Sequence, residues 1–196
     1  MSTQTLRRLN PVGHGLEAAL VASRKTPEPA KITLPPKKLD ELTAAGESFV
    51  FDAFTTQDAH ELGHLLYARL APHPRPVLIN ITLASGLTVF QSTTGPGIHR
   101  DNENWVARKR NTVFRWGAAT YAMHLKFEGN EDVFASKFML GEEAGQYAIH
   151  GGAIPIRVAN VEGIVAVVVV SGLAQAEDHG VIVDVVKENW GPVEEK

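Results

Sequence analysis

No cysteine occurs anywhere in the 196 residues. That excludes disulfide cross-links, thiolate metal sites and a cysteine nucleophile, and it fits a reducing compartment; the expected location is cytoplasmic. Neither sign of charge dominates, because 19 basic and 22 acidic residues leave a formal net charge of -3. Such a chain offers no field to draw in a polyanion, and nucleic acid is not the expected partner. Long hydrophobic runs are missing too. The longest spans residues 164–170, far short of a membrane crossing. Arg7 and Arg8 lie in a stretch with no acid before Glu17, as in an organellar transit peptide, but a polar arm accounts for the same residues. No apolar h-region supports secretion. A Gly-rich phosphate loop and a G-x-S-x-G elbow are absent, and no Ser/His/Asp set assembles from the spacings.

What is present is an ordinary globular balance, 44% hydrophobic and 21% charged, with length for one sizeable core. Four of the eleven prolines fall in residues 24–38. Residues 1–38 therefore read as an arm and an extended linker, and residues 39–196 as one domain. Residues 48–54 alternate as a strand. Thr55 or Thr56 can cap a helix to about residue 71, stopped by Pro72 and Pro74. Residues 77–83 and 87–92 read as a hairpin around Ala84-Ser85-Gly86. Asp101 can cap a long helical stretch to about residue 127, and a short helix follows over 132–139. Residues 154–158 and 163–171 are two more strands. The second holds a continuous β-branched run, which predicts a central strand covered on both faces. A helix over 175–190 closes the chain. Five strands without regular βαβ units predict an antiparallel sheet with flanking helices, an α+β domain.

His60-Glu61-Leu62-Gly63-His64 matches H-E-x-x-H on a predicted helix. In a zinc peptidase the two imidazoles share one helix face and the Glu activates the metal-bound water. Helical projection here groups Ala59, Leu62, Leu65, Leu66 and Arg69 in one sector and throws His60 and His64 to the opposite, solvent face. The metzincin continuation would need Gly and His where Tyr67 and Leu70 stand. The match is read as coincidental, with neither zinc nor peptidase activity expected.

Asp101, Asn104, Arg108, Asn111 and Arg115 recur at spacings of 3, 4, 3 and 4, so one face of the long helix is polar along its length. Trp105, Val106, Val113 and Trp116 mark a core sector with Lys109 in its middle. Guanidinium groups in a row can hold a carboxylate or phosphate bidentately, and asparagine adds hydrogen bonds. The plain alternative is a solvated face, with Lys109 snorkelling past a tryptophan. His150-Gly151-Gly152 opens a strand, and paired glycines let a ligand approach main chain. Here the plain alternative is a tight strand start. The candidate ligand-binding residues are Arg108, Lys109, Asn111, Arg115, His150, Gly151 and Gly152, around a groove between helix and strand start. No catalytic residue is assigned, and Asp178 and His179 are read as ordinary residues opening the last helix.

Over roughly residues 46–190 the chain resembles the haem-degrading domain family, most closely its intracellular branch in bacteria and fungi. The resemblance rests on Phe54-Thr55, Asp58-Ala59 and Leu62-Gly63, on Asp101-Asn102, Trp105, Arg108-Lys109, Asn111, Val113 and Arg115, on His150-Gly151-Gly152 with Pro155-Ile156, and on Val170-Ser171-Gly172-Leu173 with Glu177-Asp178-His179. It implies a profilin-like five-stranded antiparallel sheet with helices on both faces, and assembly into dimers or larger rings. Secreted relatives bind haem in a redox-sensing role, and a related domain is fused to a corrinoid adenosyltransferase. The expectation is an oligomeric domain that binds haem, another tetrapyrrole or a small anion without established catalysis. Its rivals are a haem-degrading enzyme, with His150 as iron ligand and Arg108 or Arg115 on the propionates, and a pure protein-interaction adaptor.

Overall fold

The β-branched run of the sixth strand lies inside the sheet, with a strand on either side. The computed structural model describes residues 4–25, 27–45 and 48–193. Residues 1–3, 26, 46–47 and 194–196, which include both ends of the chain as divided above, lie outside the described residues. In chain order the elements are β1 (Thr5–Arg8), α1 (His14–Arg24), α2 (Leu39–Ala45), β2 (Phe49–Phe51), α3 (Thr56–Leu70), β3 (Leu78–Leu83), β4 (Thr88–Thr93), α4 (Arg100–Trp116), α5 (Thr120–Lys126), α6 (Glu131–Lys137), a 3-10 turn (Gly141–Gln146), β5 (Ala153–Val158), β6 (Ala166–Ser171), α7 (Gln175–Asn189) and β7 (Trp190–Pro192). One seven-stranded sheet runs in the order β4-β3-β6-β5-β2-β1-β7.

Strand alternation divides β6 between two cores. Val168 and Val170 join Ile79, Ile81, Ile154 and Ile156 on the face covered by α3 and α7. Val167 and Val169 join Leu78 and Ala153 on the other face, under Val106 and Val113 of α4. All four valines have no exposed surface, and each contributes about 1.5–3 kcal/mol of burial free energy. α3 begins where Thr55 and Asp58 cap each other, the Thr55 N–H donating to Asp58 Oδ2 at 2.8 Å. It lays Ala59, Leu62 and Leu66 on the sheet, the sector expected from the projection.

The α+β layering with helices on both faces is as expected, while the sheet differs from five antiparallel strands in two ways. It has seven strands, and it is mixed: the β5-β2 and β2-β1 pairs are parallel, whereas the β4-β3, β3-β6, β6-β5 and β1-β7 pairs are antiparallel. The extra strands come from the two ends. Residues 5–8, expected in a polar arm, pair with both β2 and β7. The compact fold thus begins well before Lys38. α1 packs on α3 through its small residues Gly15 and Ala19, both buried. Charge holds this segment in place, as Arg8 donates to Asp58 Oδ1 at 2.8 Å. Residues 27–36 carry no regular structure, as a proline-rich linker should. The long helix also stops early. Gly117 takes a left-handed φ of 68° at the end of α4, and Thr120 restarts the chain as α5, its hydroxyl accepting from the Ala153 N–H at 3.0 Å.

Candidate functional site

Lys109 does not snorkel. It is 3% exposed, and its ammonium reaches past the end of β6 to donate to Val170 O at 3.2 Å and Asp178 Oδ2 at 3.0 Å. Asp178 is buried in the first turn of α7 and also accepts from the Leu173 N–H at 3.0 Å. The pair therefore staples α4, on one face of the sheet, to α7 on the other. Burial pushes the Asp178 carboxyl up, opposed by the Lys109 charge and by the Leu173 and Gly172 N–H groups. Gly152 makes room for the staple. Its φ is 116°, and a Cβ there would lie 2.4 Å from Val170 O and 2.8 Å from Lys109 Nζ. Next to Asp178, His179 has no exposed surface and no hydrogen-bond partner for either ring nitrogen among the described residues. Burial lowers its pKa to about 4.

The expected groove beside His150 is a closed seam. Arg108 Nε donates to Tyr147 O at 3.0 Å, Asn111 Nδ2 to Gln146 O at 3.1 Å, and the Thr112 hydroxyl to Ala148 O at 2.8 Å. These bonds zip α4 to the chain entering β5. Gly151 is packed in, since a Cβ would lie 2.4 Å from Gln175 O. Of the seven predicted residues, Lys109, Gly151 and Gly152 are therefore scaffold, and Asn111 is spent largely on the seam. Arg108, Arg115 and His150 remain along its outer edge.

That edge has its own order. The Arg108 guanidinium lies 4.6 Å over the Trp105 ring and 3.6 Å from Glu131 Oε1. His150 meets Trp105 edge-on at 4.8 Å between ring centroids, and its Nδ1 is 3.4 Å from the same carboxylate oxygen. Arg115 is exposed, donating to the Tyr147 hydroxyl at 2.6 Å and to Glu143 Oε2 at 3.3 Å. Behind this edge His124 contacts Gln175, and its pKa is lowered by burial and then by the nearby His150. Glu131, Tyr147, His124 and Gln175 carry no sequence signal, because each is an unremarkable residue in a short helix or loop. On the opposite flank of α4, Asn111 and Arg115 also border an open cleft that takes in Arg110 and Arg157. Arg157 did leave a trace, a lone cation in the otherwise apolar Ala-Ile-Pro-Ile-Arg-Val of β5.

The H-E-x-x-H motif is divided by the helix. Glu61 is buried and accepts from the backbone N–H groups of Gly13 and Gly15, the latter at 2.6 Å. It caps the start of α1, where the helix dipole favours negative charge. His60 is exposed, with Nε2 3.1 Å from Val89 O, and His64 lies edge-on to Phe90. The carboxylate and the imidazoles thus serve different neighbours.

Residues 54–187 match the family model described as haem degrading protein HbpS-like. The chain belongs to the HbpS-like haem-degrading family. It is 40% identical over 151 residues to the UPF0303 protein SCO2848 of Streptomyces coelicolor, covering 77% of this chain and 92% of that protein. Against the UPF0303 protein RHECIAT_CH0003058 of Rhizobium etli it is 37% identical over 146 residues, 74% of this chain and 85% of that one. Among solved structures, the Ybr137w protein superposes with a TM-score of 0.70 at 30% identity, covering 80% of this chain and 95% of its own. HbpS shares the fold alone, with a TM-score of 0.53 at 18% identity over 69% of this chain and 89% of its own. No described helix of this family member is long and apolar enough to cross a membrane.

Proposed function

We propose that the chain is a self-associating, cytoplasmic, non-catalytic domain that binds haem or a related tetrapyrrole through His150. The observation that carries this reading is the contact between His150 Nδ1 and Glu131 Oε1 at 3.4 Å. Neither atom has a hydrogen-bond partner among the described residues, so a small turn of the imidazole would set Nδ1 on the carboxylate and leave Nε2 for a metal, the arrangement that ligating histidines adopt. The side chain is 42% exposed, so an iron can reach it. His150 would thus hold the iron. Arg115 can take a propionate by releasing Glu143, and Arg108 by releasing Glu131. Bound haem would supply redox chemistry of its own. This chain's residues would ligate it, orient it against Trp105 and neutralise its carboxylates.

Self-association is supported by the outer face of the N-terminal segment. Leu9, Val12, Leu16, Leu20 and Val21 are 44–63% exposed, a row of apolar side chains that a second copy would cover. Light scattering should therefore give a mass well above the 21.3 kDa of one chain.

Haem titration followed by absorbance tests the ligand. A Soret shift that persists after adding reductant in air is expected in the parent and lost in His150→Ala. Glu131→Gln should weaken binding about 10- to 100-fold, as outer partners of metal ligands do. A Soret band that fades with reductant would instead favour the haem-degrading enzyme, and no shift at all would favour the adaptor.

A further inference from the structure

The flank of α4 turned away from His150 borders an open cleft of about 820 Å3. Arg110 comes from α4 and Arg157 from β5. The turns at residues 84–86 and 163–164 form the walls, and Phe114 and Ile164 supply apolar surface. The two arginines stand apart from the rest of the molecule. The other half-buried arginines each sit on a carboxylate: Arg8 on Asp58, Arg69 on Asp184 and Glu188, and Arg108 on Glu131. Arg110 and Arg157 form no ion pair among the described residues. Arg110 donates to the Thr82 hydroxyl at 3.3 Å and Arg157 to Gly117 O at 3.0 Å, both neutral acceptors.

A guanidinium has five N–H donors in a fixed fork, so most of the donors on each arginine are unspent. Two such cations bordering one cleft repel each other, and a dianion between them removes the repulsion while satisfying both forks. One carboxylate would leave a positive charge over, whereas a phosphate matches the pair. The volume lies within the range of small-molecule sites and exceeds the needs of a bare phosphate. We propose that this cleft binds a phosphate-bearing small molecule, the phosphate held between Arg110 and Arg157 and the organic part against Phe114 and Ile164. Arg115 also borders the cleft but is engaged by Glu143 and Tyr147, and the site does not depend on His150 or on haem.

Titration calorimetry and thermal melts with pyrophosphate and with ADP test the proposal. Both ligands should bind the parent and raise its melting temperature, ADP more tightly because its body meets Phe114. Arg110→Gln and Arg157→Gln should each weaken binding about 10- to 100-fold, as expected for a lost charged hydrogen-bond pair. Phe114→Ala should erase the advantage of ADP over pyrophosphate. Arg75→Gln, at an exposed arginine outside the cleft, and His150→Ala should leave both affinities unchanged, which keeps this site distinct from the haem reading. Failure of both probes to bind the parent would overturn the proposal, and so would binding that survives either arginine substitution. In particular, full affinity in Arg110→Gln beside a merely unstable Arg157→Gln would reduce Arg157 to a cap on the end of α4. If Arg157→Gln does not fold, amide shifts in the parent decide. Pyrophosphate should move Gly86, Gly117 and Gly163, and shifts confined elsewhere would refute the site.

Discussion

Lys109 and Arg110 are adjacent cations on α4, separated by about 100° of helical rotation, and they lead to two different regions. Lys109 points into the end of the sheet, where Asp178 neutralises it and Gly152 has given up its side chain to admit it. Arg110 points to the open flank, where its hydrogen bond goes to a hydroxyl. The closed region holds its charges for architecture, joining the two helical layers. The open region holds them on neutral acceptors, with no ion pair among the described residues. Burial and pairing together distinguish a cation that the fold uses from one it leaves available, and neither property is set by residue type.

The largest expected effect breaks the closed side. Lys109→Met leaves the Asp178 carboxylate buried without its cation, and removal of one member of such a pair costs about 3–5 kcal/mol. Urea unfolding at pH 7 should show that loss, and the double variant with Asp178→Asn should recover more than half of it. A cost below about 1 kcal/mol would mean that the pair is no staple and that the two cations do not differ in kind.

His179 reports how dry the same region is. Its pKa is about 4 in the fold, against 6.5 for the free side chain. Between those values the unfolded chain binds a proton that the folded chain refuses. Stability from this residue is therefore full above about pH 6.5 and is lost as pH falls towards 4, by about 3 kcal/mol in all. Asp178 acts with the opposite sign, because its value is raised, so the parent must be compared with a variant. His179→Leu should flatten the acid slope between pH 6.5 and 4, measured as urea midpoints across that window. An unchanged slope would show that water reaches the ring.

Glu61→Ala comes next, at about 2 kcal/mol, since it leaves two N–H groups at the start of α1 without their charged acceptor. His60→Ala should cost less than about 0.5 kcal/mol, although both residues belong to the same five-residue motif. Limited proteolysis within residues 4–25 should speed up in the first variant only.

The same contrast explains what could be seen in the sequence. α3, α7 and the two hairpins were legible because each carries its own period, its own cap or its own turn. The strands β1 and β7 were not, because each is too short to show alternation, and β1 joins β2 on one side to β7 on the other, across almost the whole length of the chain. In the site, the polar stripe of α4 was legible as a helix face. What could not be read was which neighbour each residue would meet. Spacing placed Lys109 among the tryptophans, but Asp178 lies 69 positions away, and the closing of the seam by Tyr147 and Gln146 depends on the path of a loop.

The smallest effect sharpens the open side. Arg110→Gln removes a 3.3 Å bond to the Thr82 hydroxyl, which keeps its partners Asn80 and Thr88. It also removes the repulsion between Arg110 and Arg157 across the cleft. The two contributions oppose, so the ligand-free variant should differ from the parent by less than about 0.5 kcal/mol, in contrast with the large loss for Lys109→Met one position earlier. Salt separates the contributions. Raising ionic strength from about 0.01 M to about 0.15 M shortens the screening length from about 30 Å to about 8 Å, which relieves like-charge repulsion in the parent and has less to relieve in the variant. The parent should therefore gain more stability from sodium chloride than Arg110→Gln does, with chloride chosen over phosphate so that no ligand enters the cleft. If the variant gains as much as the parent, Arg110 feels no neighbouring cation, and the contrast between the two flanks of α4 rests on burial alone.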